Sequence, residues 1–140
     1  MSIKIAKATL GRAFAELRRA RDREDERQAG EKGWRAAREA VYAVIAAVDP
    51  SISLKGTLGY GAVQKFEVQY FGKMTRNDQR LASGYGQALN YLHGQCFYED
   101  VCEFDMENQL AQVGKLMECA EEYLEYASFA HKAKRKKRGK

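Results

Sequence analysis

Apolar residues recur along this chain at steps of three and four over long stretches, the spacing that lines one face of an α-helix. In residues 3–20, Leu10, Ala13, Phe14 and Leu17 share a face, with Arg12, Arg18 and Arg19 opposite. A charged stretch, RDREDERQ, then interrupts the pattern and reads as a tight connection or as two helix ends extended into water. Residues 28–48 resume it more strongly through Trp34, Ala37, Val41, Val44, Ile45 and Val48. Alanines at 36, 37, 40, 43, 46 and 47 favour helix and admit a neighbouring helix at close range. Pro50, the one proline, stands where this helix should stop.

Two further helices are predicted downstream. Thr75, with Asp78 three residues on, has the form of a capping box with Asp in place of Glu. From there Leu81, Tyr85, Ala88, Leu89, Leu92 and Cys96 make one stripe, and the helix is expected to end near Asp100. Over residues 103–129, Met106, Leu110, Val113, Met117, Ala120, Leu124 and Ala127 alternate steps of four and three, the period of a bundle seam.

The middle of the chain carries weaker signals. SLKGTLGYGA, with Gly56, Gly59 and Gly61, reads as a loop. It is not a phosphate cradle, because no strand pattern precedes it and no Gly-Lys-Ser/Thr ending follows. Residues 63–71 fit either a short helix through Val63, Phe66 and Tyr70 or a strand through Phe66, Val68 and Tyr70. A helix is preferred, since an isolated strand has nothing to pair with. The expected fold is all-α: an up-and-down four- to five-helix bundle over residues 1–130, followed by a disordered basic C-terminal tail over residues 131–140.

Charge sharpens this division. The net charge of the 140-residue chain is +5, but the last nine residues, KAKRKKRGK, hold seven basic groups. Setting those seven aside from the 24 Lys and Arg leaves 17 basic against 19 acidic residues, a net of −2. Lys132, Lys134, Arg135, Lys136, Lys137 and Arg138 are therefore the candidate nucleic-acid contacts, through counterion release at phosphates rather than base reading. A solvated arm that aids solubility is the plainer alternative. No apolar run is long enough to span a bilayer, and the tail lacks an amphipathic anchor, so no membrane partner is expected. The opening MSIKIAKATLGRAF has no secretory pattern, which makes the cytoplasm the expected compartment. Three cysteines, Cys96, Cys102 and Cys119, are read accordingly as reduced, buried small hydrophobes rather than a disulfide framework.

Candidate chemistry concentrates in NYLHGQCFYED, residues 90–100. His93 and Cys96 can share a helix face, and with Cys102 they form H-x2-C-x5-C, three potential zinc ligands. A closed zinc site needs four, so the reading adopted is packing, with no metal and no other cofactor. Cys96 as a nucleophile based on His93 lacks an orienting third group and an oxyanion cradle. Tyr85, Tyr91, Phe97, Tyr98 and Phe104 gather at the same helix and read as core and boundary packing, or as a contact surface. The surface around Tyr91, Phe97 and Tyr98 is the expected place for a protein partner, and a homodimer is expected.

The first helical pair, LGRAFAELRRARDREDERQAGEKGWRAAREAVYAVIAA, resembles the opening of HEPN-type domains (higher-eukaryote and prokaryote nucleotide-binding), in which an alanine-rich second helix follows a leucine- and alanine-bearing first. ALNYLHGQCFYED is similar to a later helix of some small HEPN-like bundles. The resemblance spans most of residues 6–127. It implies an up-and-down helical bundle, often dimeric, and in active members a metal-independent ribonuclease using an arginine and a histidine four to six residues apart. That pair is missing here: Gly86, Gln87 and Ala88 stand before His93, and Leu124, Glu125 and Tyr126 before His131. The resemblance then implies a non-catalytic binding and assembly module. The alternative is a divergent ribonuclease or toxin–antitoxin component pairing His93 with a distant arginine such as Arg76 or Arg80.

Overall fold

A computed structural model of the chain describes residues 3–48, 84–102 and 105–138, with side chains described as far as residue 125. Its elements are α1 (Ile3–Arg18), α2 (Arg23–Val48), a π-helix here called α3 (Ala88–Tyr98), and α4 (Met106–Arg138). Among the described residues there is no strand, and the fold is all-α as the periodicity predicts. The expected helix start at Thr75, the glycine-rich loop, residues 63–71, Phe104, Arg76 and Arg80 lie outside the described residues.

α2 is the central element and packs against the other three, while α1 also packs on α4. With only residues 19–22 between them, α1 and α2 form an αα-hairpin. The charged stretch does what its two readings allow: Arg21 and Asp22 complete the tight connection, and from Arg23 on it extends the start of α2. Asp22 Oδ1 accepts the Asp25 N–H at 2.9 Å, and Asp25 Oδ2 accepts the Arg21 N–H at 3.0 Å. This reciprocal capping, with Glu24, Asp25 and Glu26 in the first turn, begins α2 five residues before the apolar pattern resumes. Asp105 likewise caps α4, its Oδ1 accepting the Asn108 N–H at 3.0 Å, so that helix starts at Met106 rather than near Glu103.

The predicted stripes supply the core. Trp34, Ala37, Val41, Val44 and Ile45 of α2 are buried, as are Met106, Leu110, Val113, Met117 and Ala120 of α4. Leu10 and Ala13 join them from α1, with Phe14 and Leu17 half-buried beside them. Helices α2 and α3 approach closely because glycine stands at the contact. A Cβ on Gly33 would collide with Leu110 Cδ2 and crowd Leu92 Cδ1, and one on Gly30 would lie 3.2 Å from Cys96 Sγ. Polar ties flank the core: Lys7 pairs with Glu121 of α4 at 2.7 Å, and Lys32 of α2 pairs with Glu16 of α1.

The backbone of α4 is helical through Arg138, so the helix bounds take in much of the basic segment expected to be disordered. The side chains of Lys132, Lys134, Arg135, Lys136, Lys137 and Arg138 lie outside the described set. No helix among the described residues is long and apolar enough to cross a membrane.

Candidate functional site

The segment holding His93 is wound more widely than an α-helix. A helical turn over residues 84–87 passes into the π-helix, whose i→i+5 pattern closes with the Glu99 N–H donating to the Gly94 carbonyl at 3.1 Å. This corrects the expectation of an ordinary α-helix. The fully inward residues Ala88, Leu92 and Cys96 are spaced by four each time, instead of alternating threes and fours, as a wider turn requires. The segment ends at Asp100, which adopts a left-handed backbone with φ of 59°, and the Val101 N–H returns to the Gln95 carbonyl at 2.8 Å. The result is a Schellman-like stop enlarged by one residue.

One face of α2 grips this segment. Arg23, Arg27, Glu31 and Arg35 follow one another at steps of four, so they line a single face. Arg23 Nη1 donates to the Asp100 carbonyl at 3.2 Å. Arg27 donates through Nε and Nη2 to the Phe97 carbonyl, at 2.9 and 2.6 Å, with its guanidinium 5.3 Å from the Phe97 ring centroid. Glu24 holds Arg27 from the other side at 2.6 Å. Hydrogen bonds to Gln28 and Arg27, followed by the charge of Arg27, hold the Glu24 carboxyl below its ordinary value.

Glu31 Oε2 sits 2.9 Å from His93 Nδ1. Both side chains are largely shielded, at 13% and 18% exposure. The other carboxylate oxygen, Oε1, is 3.8 Å from Arg35 Nε. The imidazole lies in an aromatic cage: Trp34 stacks at 5.1 Å, Phe97 lies parallel at 6.4 Å, and Tyr98 meets it edge-on at 4.8 Å. With Nδ1–H donating to Glu31, neutral His93 carries its lone pair on Nε2, the tautomer suited to proton transfer or to accepting a hydrogen bond.

The sulfurs behave otherwise than expected. Cys96 and Cys102 are joined as a disulfide, and Cys119, buried in α4, takes no part in it. The reading of three reduced thiols is therefore corrected. The reason is geometric: the π-helical stop folds the chain back within six residues, bringing the two Cα atoms to 4.5 Å. Cys96 is thereby spent as a nucleophile, and His93 turns to Glu31 rather than to a sulfur. No group of three or more metal-ligating side chains occurs among the described residues.

Of the residues singled out from sequence, His93, Cys96, Cys102, Phe97 and Tyr98 are brought together. Among the described residues, the arginines that reach this neighbourhood are Arg23, Arg27 and Arg35 of α2; Arg76 and Arg80 lie outside the described residues. Glu31 was missed, although a charged ladder at 23, 27, 31 and 35 beside a tryptophan on an otherwise alanine-lined helix is its signature. Comparison with protein-family models, with curated proteins and with solved structures finds no match. What fold and site define is an all-α helical protein carrying a carboxylate-held histidine in an aromatic cage.

Proposed function

We propose that this chain is a non-catalytic, HEPN-like binding and assembly module that self-associates and meets a protein partner through the aromatic end of α3. The observation that carries this reading is where large apolar side chains reach solvent. Among the described residues there are four: Tyr98 at 69%, Val101 at 41%, Tyr91 at 38%, and Ile5 of α1. Three of the four belong to α3 and its exit, and exposed tyrosines on a rigid support are what contact surfaces use. The arginine grip on Phe97 and Asp100 supplies that rigidity. In this proposal the basic residues Lys132–Arg138 add nucleic-acid contact without sequence preference. We place the module in the cytoplasm.

Light scattering on the wild-type chain and on Tyr91→Ala/Tyr98→Ala tests the assembly. A dimer that the double variant weakens supports the reading, and a monomer at all accessible concentrations sinks it. Removing residues 132–140 should abolish RNA binding that otherwise falls steeply with salt.

The second reading, a divergent HEPN-type ribonuclease or toxin–antitoxin component, is favoured by one observation: Glu31 holds His93 Nδ1 while Arg35 approaches the same carboxylate. A cation and an oriented imidazole are the groups such chemistry needs. Degradation of RNA by the purified chain, lost in a folded His93→Ala variant, would replace the binding reading with this one.

A further inference from the structure

We propose that Cys96 and Cys102 are a reversible two-electron redox site whose state sets how firmly the exit of α3 is held, and with it the His93 cage. The proposal rests on the disulfide and its surroundings and is independent of what docks at this face.

The bond closes around five residues, Phe97 to Val101, and these include most of the cage and its exposed edge. Phe97 and Tyr98 contact His93, while Asp100 and Phe97 supply the carbonyls that Arg23 and Arg27 hold. The disulfide and the arginines therefore restrain the same short segment, the one by closing it on itself and the others by tying it to α2. Either restraint alone leaves the exit held in one way only.

Two observations make the site reversible rather than a dead staple. First, the pocket already suits thiols. Cys96 Sγ lies 3.7 Å from the Glu26 carbonyl oxygen, and Cys102 Sγ lies 3.6 Å from that of Cys96. In the disulfide neither sulfur has a proton to donate, but on reduction each S–H finds an acceptor in place, so burial of the thiols costs little. Second, access is gated rather than denied. Cys96 is fully buried and Cys102 nearly so, yet the intervening Tyr98, Glu99, Asp100 and Val101 are exposed. Local opening of that exit uncovers the bond without unfolding the bundle.

The reaction is thiol–disulfide exchange with a dithiol. A thiolate of the reductant attacks one sulfur, giving a mixed disulfide and one cysteine thiolate. The second thiol of the reductant then displaces the other cysteine. Cys96 and Cys102 gain two electrons and two protons, and the dithiol leaves as its own disulfide. An oxidised dithiol reverses each step.

The full-length chain tests this with dithiothreitol as the dithiol. The chain purified without reductant should be two hydrogens lighter than the reduced chain, with one alkylatable thiol after denaturation, that of Cys119. Native reduction should run about tenfold or more slowly than reduction of the denatured chain, and Arg27→Ala should speed it several-fold, because opening is rate-limiting. Trp34, the single tryptophan, is buried against His93, so its emission should shift to the red on reduction and return on reoxidation, with far-UV circular dichroism unchanged. Cys96→Ser/Cys102→Ser should reproduce the reduced spectrum. If that variant does not fold, the reduced wild-type chain gives the same reading. Three alkylatable thiols in protein treated with oxidised dithiothreitol would overturn the proposal. So would reduction that leaves the Trp34 emission unmoved, or reduction that cannot be reversed.

Discussion

Glu31 of α2 and His93 of α3, 62 residues apart in sequence, meet at 2.9 Å inside a cage of aromatic rings. The contact joins the central helix to the π-helix, and it fixes the ring that Trp34 stacks on. Glu31→Ala should cost about 1–3 kcal/mol, the usual penalty for stranding a shielded hydrogen-bonding group. Glu31→Gln should cost less, since the amide oxygen still accepts from Nδ1–H. Denaturant melts followed at Trp34 measure both. A double-mutant cycle with His93→Ala should give a coupling of roughly 0.5–3 kcal/mol, and strict additivity would show that the pair does not interact.

Two glycines in helix interiors should respond oppositely to alanine. At Gly33 the new methyl collides with Leu110 in a filled core, and overpacking costs about 1–3 kcal/mol, more than the gain of up to about 1 kcal/mol in helix propensity. At Gly11 nothing lies within 4 Å of the added carbon, so Gly11→Ala should stabilise by about 0.5–1 kcal/mol. Thermal melts of the two variants should move in opposite directions.

Glu24 gives the pH prediction. Its carboxyl is held below its ordinary value by Gln28 and Arg27, so the folded state favours the charged form. The sign follows from linkage: the contribution is present above the unfolded value of about 4.3 and is lost as pH falls through the lower folded value. Proton-detected titration of Glu24 should show a midpoint below that of an unstructured glutamate, and Arg27→Ala should return it upward. An unchanged midpoint in the variant would remove Arg27 as a cause.

Arg27 also anchors the end of the π-helix through the Phe97 carbonyl. Arg27→Ala removes two donors from that oxygen, and Arg27→Lys restores charge without the planar fork. Amide exchange at Glu99 and Val101, whose N–H groups close the helix end, should accelerate in Arg27→Ala and remain fast in Arg27→Lys. Exchange in α1 should not change, because opening at this end is local.

Much of the fold is legible in the chain itself. The α2 stripe from Trp34 to Ile45 and the α4 seam from Met106 to Ala120 are buried where the period placed them, because burial of one helix face is a local property of spacing. Helix starts were less legible. Asp22 and Asp25 lie in a run of charges, and their role as caps is visible only once the backbone turns there. The π-winding of α3 is not legible in the sequence because a step of four fits either helix; its use at 88, 92 and 96 is the one trace left in the pattern.

The site divides in the same way. Spacing along the chain drew attention to His93, Phe97 and Tyr98, since residues three to five apart on a helix are neighbours whatever surrounds them. Glu31, Arg27 and Arg35 joined that site only through the packing of α2 against α3, a contact between segments some 60 residues apart that no local pattern encodes. The disulfide shows the same limit at short range. Cys96 and Cys102 are six residues apart, too far for one helical turn, and only the chain reversal at Asp100 brings them together. Period and charge determined which faces are buried and where the basic residues lie. Tertiary packing decided what His93 touches and whether its neighbouring sulfurs are joined.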